Sequence, residues 1–100
     1  MSKRTYYISG PMTGIPNFNY PKFNAVAERL RAEGHTVLNP AEIEDPDIVK
    51  DWHEYIISDL YRIARIKVDT VLMLKGWKNS AGAQIEKLFC EKLGCEVMYE

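Results

Sequence analysis

The sequence predicts a single α/β domain built on a mostly parallel, four-stranded sheet, and three observations carry that expectation. β-branched and aromatic runs alternate with segments of helical apolar spacing along the whole chain. Glycine, proline or asparagine stands at the boundaries between them, where turn residues belong. With 100 residues, 46% of them hydrophobic, the chain supports one core and leaves nothing for a second domain, so residues 1–100 read as a single unit.

Each element follows from its own residues. Thr5, Tyr6, Tyr7 and Ile8 make a first strand, stopped by Ser9-Gly10-Pro11. Pro21 suits the first turn of a helix, and Phe23, Val26, Ala27 and Leu30 recur at helical spacing until Gly34. His35 to Leu38 form a second strand closed by Asn39-Pro40, and the acidic stretch from Ala41 to Asp51, with Pro46, reads as a loop. Trp52, Ile56, Leu60 and Ile63 mark a second helix, after which Val68 to Leu74 form a third strand. The last helix is expected to bury Ile85, Leu88, Phe89 and Leu93 and to stop at Gly94, and Cys95 to Tyr99 form a final strand. A βαβαβαβ order requires parallel crossovers, hence a flavodoxin-like or Rossmann-like three-layer sandwich.

Composition excludes several functions. A net charge of −1 and a pI near 6.1 argue against polymeric nucleic acid as a partner. No apolar stretch approaches membrane-spanning length and no signal-peptide core follows the N-terminus, so a cytoplasmic protein without a membrane partner is expected. Cys90 and Cys95 have neither disulfide-framework nor zinc-pair spacing and read as reduced thiols, Cys90 on a packed helix face. No residue cluster has metal-ligand spacing, so neither a metal nor a cofactor is expected.

In parallel sheets, ligands bind beyond the carboxyl ends of the strands, near the reversal of strand order. Three loops meet that rim here: Ser9 to Gly14, Asn39 to Asp51, and Gly76 to Gly82. Behind the third, Glu86 lies on a helix that opens just after an apolar strand, where a helix N-terminus favours an anion.

The rim residues also carry a resemblance. Tyr7-Ile8-Ser9-Gly10-Pro11-Met12, Ser58-Asp59-Leu60-Tyr61-Arg62-Ile63, and Gly76-Trp77-Lys78-Asn79-Ser80-Ala81-Gly82-Ala83-Gln84-Ile85-Glu86 resemble the nucleoside deoxyribosyltransferase and deoxynucleoside monophosphate N-glycosidase superfamily, in particular a small bacterial and phage branch. The likeness runs from Tyr6 to about Val97, and its most specific part is the spacing Gly82-x-x-x-Glu86. It implies that Glu86 attacks the anomeric carbon of a deoxyribosyl group, that Asp59 stands near the base, and that Tyr7 lies at the sugar-facing end of the first strand. The residue types suit that chemistry. A carboxylate stabilises an oxocarbenium-like centre or forms a glycosyl intermediate, and a second carboxyl of raised pKa protonates the departing base. The phenol of Tyr7 can orient Glu86.

One departure bears on the substrate. Relatives acting on unphosphorylated nucleosides carry an aspartate six positions before the glutamate, where this chain has Ser80, as the monophosphate N-glycosidases do. A carboxylate there would repel a 5′-phosphate, whereas a serine donates to it. Ser9, Gly10, Pro11, Met12, Thr13, Gly14 and Gly82 complete the expected phosphate and substrate loop. The expected ligand is therefore a small deoxynucleotide or nucleoside, cleaved or transferred by an N-glycosidase or deoxyribosyltransferase.

Plainer readings compete with each assignment. Ser80 also suits a helix N-cap, Tyr7 strand packing, Asp59 a solvated helix face, and Gly10 to Gly14 a simple turn. Trp77 suits stacking on a base, covering the core edge, or an oligomer contact. His53 and His35 read as structural or surface residues, and Lys75 and Lys78 as solvated. Glu42, Glu44, Asp45 and Asp47 are expected to face solvent. A homo-oligomer is expected from aromatics such as Tyr55, Tyr61 and Trp77, and because the sequence ends before the C-terminal extension by which larger relatives complete a neighbour's pocket, part of the substrate wall is expected to come from elsewhere or to be absent. The competing function is a catalytically silent nucleotide-binding or nucleotide-sensing module, which ligands would stabilise without product forming. A purely structural role comes third.

Overall fold

The computed structural model describes residues 3–43 and 51–100. Strands β1 (Thr5–Ser9), β2 (Thr36–Leu38), β3 (Thr70–Met73) and β4 (Glu96–Tyr99) alternate with helices α1 (Tyr20–Ala32), α2 (Trp52–Ile66) and α3 (Ala81–Lys92). All three strand pairings are parallel, and the sheet order is β2-β1-β3-β4. The chain thus forms an α/β sandwich of flavodoxin-like or Rossmann-like type. Strand order reverses between β1 and β3, in the register Tyr7 to Val71 and Ser9 to Met73.

Strand alternation divides the core into two layers. Tyr6, Ile8, Leu72 and Leu74 point to one face, where Phe23, Val26, Ala27 and Leu30 of α1 cover them. Tyr7, Val71 and Met73 point to the other, against Ile63 of α2 and Ala83 and Cys90 of α3. Tyr6 and Tyr7 are thus both buried, one on each face of the sheet.

Local signals stop each helix. α1 runs into Gly34 at φ 95°, α3 into Gly94 at φ 85°, and α2 into Lys67 in the left-handed region at φ 61°. Asp51 caps α2 by accepting from the Glu54 amide at 2.9 Å, and Ser80 caps α3 by accepting from the Ala83 amide at 3.2 Å.

One expectation needs correction. α3 turns Ala83, Glu86 and Cys90 inward, while Ile85, Leu88 and Leu93 are 38%, 58% and 52% exposed and Phe89 is only partly buried. The small side chain of Ala83 lets the helix approach the sheet, so the buried stripe is the one with less apolar bulk. The expected loop from Ala41 to Asp51 begins with a short turn, Pro40–Glu42, and ends in the α2 cap; Glu44, Asp45, Pro46 and Asp47 lie outside the described residues. Glu42 faces solvent but is held by Arg31 at 2.6 and 2.9 Å.

Candidate functional site

The period of two along β1 sets Tyr7 and Ser9 in line on the face that α3 covers. Both hydroxyls donate to Glu86: Tyr7 to Oε2 at 2.8 Å and Ser9 to Oε1 at 2.6 Å. The three residues are buried, Glu86 at 6% exposure. Asp59, on the facing side of α2, stands close enough to share hydrogen bonds with both Tyr7 and Glu86.

Burial pushes the Glu86 carboxyl up to about 8, and the neighbouring Asp59 carboxyl adds to the rise, while the bonds from Ser9 and Tyr7 oppose it. Two carboxyls in such contact hold one proton between them across neutral pH. Glu86 receives two hydroxyl bonds, which favour its ionised form, but burial and the neighbouring Asp59 outweigh them. Tyr7 remains a donor throughout, because burial and the adjacent Glu86 raise its phenol well above its ordinary value.

Glu86 and Asp59 open into a cavity of about 370 Å³, within the range of small-molecule sites. Its lining draws on all three predicted rim loops: Gly10, Met12 and Thr13 after β1, Pro40 and Ile43 after β2, and Ser80 and Gly82 after β3. Two glycines permit close approach. A Cβ on Gly10 would lie 2.8 Å from Leu74 Cβ, and one on Gly82 would lie 3.0 Å from Ile56 Cδ1 at the start of α2. Ser80 accepts from its helix, which leaves its hydroxyl proton to donate into the cavity.

Of the sequence-predicted residues, Tyr7, Gly10, Met12, Thr13, Asp59, Ser80, Gly82 and Glu86 line one cavity. Ser9 serves differently from expectation: its hydroxyl is committed to Glu86, so it orients the carboxylate instead of meeting a phosphate. Pro11 and Gly14 do not line the cavity. The Pro11 carbonyl accepts from Asn19 Nδ2 at 3.0 Å, and Gly14 takes φ 83° in the turn. Trp77 is likewise outside: it covers the core edge, 5.9 Å from the Tyr99 ring, with Lys87 over its face. Lys75 and Lys78 also stand apart from the cavity; His53 is exposed edge-on to Trp52, and His35 Nδ1 accepts from the Arg4 amide at 3.0 Å.

Four aromatics of the lining were not expected at the site: Phe18, Tyr20, Trp52, read only as a helix position, and Tyr55, read as an oligomer contact. A signal for two of them was present. Trp52, Tyr55, Ile56 and Asp59 fall at i, i+3, i+4 and i+7, one face of α2 that continues toward the acid. Phe18 had no such signal, because it depends on a left-handed turn. Among the described residues, no group of three or more His, Cys, Asp or Glu is placed to hold a metal, and no helix is long and apolar enough to cross a membrane.

The model of one protein family, described as a domain of unknown function (DUF4406), matches residues 4–99, and the chain belongs to that family. No curated protein matches it.

Proposed function

We propose that this DUF4406 domain breaks, or transfers across, the N-glycosidic bond of a small deoxynucleotide, with preference for a 5′-monophosphate. The observation that carries the reading is the buried Glu86 carboxylate, fixed by the hydroxyls of Tyr7 and Ser9 beside Asp59 at the floor of a cavity of nucleotide size. The resemblance of the rim motifs to the deoxyribosyltransferase superfamily supports the same assignment.

In this reaction Glu86 attacks the anomeric carbon, and the electron pair of the carbon–nitrogen bond leaves with the base. In the reactive form the proton shared by the pair lies on Asp59, which gives it to the departing nitrogen. Water or an acceptor base then attacks the same carbon, Glu86 departs as carboxylate, and the proton of the attacking group returns to Asp59. Tyr7 and Ser9 hold the carboxylate in line, and their hydrogen bonds favour its ionised form. Ser80, at the N-terminus of α3, donates to the phosphate with the helix dipole in support.

The test is incubation with a panel of deoxynucleosides and their 5′-monophosphates, followed by chromatography for free base. Release is expected, fastest from a monophosphate, and Glu86→Gln should reduce it to background while circular dichroism shows the fold intact. Asp59→Asn should slow release by roughly 10² to 10⁴-fold, the usual contribution of a general acid. Full turnover by the Gln variant, or ligand-dependent stabilisation with no product from any member of the panel, would overturn the assignment.

A further inference from the structure

The mouth of the cavity combines three features that bear on which base it accepts. Its wall is aromatic: Phe18, Tyr20, Trp52 and Tyr55 line it from the turn after β1, the first residue of α1 and α2, with Phe18, Trp52 and Tyr55 at 60%, 45% and 49% exposure. Its charge has one sign, because among the described lining residues Asp59 and Glu86 are acidic and none is basic. Its shape depends on strain. Asn17, Phe18 and Asn19 hold φ of 55°, 53° and 61°, three successive left-handed residues, and Phe18 is a bulky residue for which that conformation is an outlier. The turn is pinned by the Phe18 amide on the Ile15 carbonyl at 2.9 Å and by Asn19 Nδ2 on the Pro11 carbonyl. Such strain persists where the surroundings impose it, and it gathers at ligand clamps. Here it presents to the cavity a ring that is otherwise mostly in solvent, 5.9 Å from Tyr20.

We propose that this mouth binds a heteroaromatic ring bearing positive charge, so that the preferred substrates are N-glycosides whose base is cationic, such as N-alkylpyridinium or N7-alkylpurine glycosides. The inference deepens the N-glycosidic reading by naming the base class, and rests on that reading only for identifying the ring as a leaving group. Aromatic faces present negative potential, and the carboxyl pair below them holds net negative charge at neutral pH. With no cation among the described lining residues to oppose them, a cationic ring gains stacking and charge attraction together, while a neutral ring gains stacking alone. The chemistry agrees. When the carbon–nitrogen bond of a cationic base breaks, the electron pair cancels the ring charge and no proton is needed from Asp59. The product is neutral, loses the attraction that held the substrate, and leaves.

The test uses rings with no sugar, so that it stands apart from cleavage. Calorimetry on the purified chain compares 1-methylnicotinamide, a cation, with neutral nicotinamide. The cation is expected to bind about tenfold more tightly. Phe18→Leu and Trp52→Leu keep apolar bulk and remove the aromatic face, so each should reduce that preference severalfold without lowering the melting temperature by more than a few degrees. Equal or tighter binding of the neutral ring, retention of the full preference in both variants, or no binding of either ring would overturn the proposal. Cationic selectivity without base release from any nucleotide would leave it standing and remove the glycosidase reading; release without selectivity would do the reverse.

Discussion

At the residue scale, the site depends on two side chains whose surroundings work against them. Glu86 is a carboxylate in a buried layer, tolerable because two hydroxyls and a partly shared proton compensate it. Phe18 is an aromatic in a backbone conformation suited to glycine. Gly at position 18 would relieve the left-handed strain that Ala would retain, and Phe18 has little buried surface to lose. Phe18→Gly should therefore be more stable than Phe18→Ala by about 1 kcal/mol. Denaturant melts of the two variants measure this, and an Ala variant as stable as the Gly variant would show that the turn is not strained. Glu86 was legible in the sequence from its place behind a strand and a helix start. Phe18 was not, because nothing in Pro16-Asn17-Phe18-Asn19 announces three positive φ values in a row.

At the scale of elements, α3 shows how far periodicity reaches and where it stops. Its limits were readable from Ser80 and Gly94, since cap chemistry is local. Its inward face was not, since counting apolar bulk favours Ile85, Leu88 and Leu93, whereas the sheet accepts the stripe of Ala83, Glu86 and Cys90. The helix sacrifices apolar burial to place a carboxylate over β1. α2 is similar, with one stripe serving the core through Ile63 and another serving the cavity through Trp52, Tyr55, Ile56 and Asp59. The two roles of Ser80, cap and phosphate donor, separate in one substitution. Aspartate is as good an N-cap as serine, so Ser80→Asp should change stability by only a few tenths of a kcal/mol. A carboxylate at the same place repels a phosphate. Turnover of the monophosphate should fall about tenfold or more relative to the nucleoside, the expected scale for one added like charge in a partly desolvated site. Steady-state kinetics on both substrates check the ratio, and an unchanged ratio would remove Ser80 from the phosphate end.

At the scale of the molecule, the sheet order determines why these residues meet. β1 and β3 are neighbours in the sheet but far apart in sequence, and the chain departs from their carboxyl ends in opposite directions, leaving a crevice between the loops. Tyr7, Ser9, Asp59 and Glu86 come from three elements, so the acid pair exists only in the folded chain, and global stability must register its titration. The sign follows from the direction of the shift. A carboxyl near 4.5 when unfolded and raised to about 8 when folded binds more protons in the native state between those values. Its contribution is fully present below about 4.5 and is lost as pH rises through about 8. Tyr7 and Cys90 do not blur that window, because burial raises the phenol well above its ordinary value and the thiol to about 12. The wild-type melting temperature should therefore fall between pH 5 and pH 8.5. Glu86→Gln, which keeps the shape and cannot ionise, should flatten that fall and be more stable than wild type at the alkaline end, while being inactive at every pH. Parallel wild-type and Gln profiles would mean that Glu86 is already ionised at pH 5 and that Asp59 alone carries the shared proton.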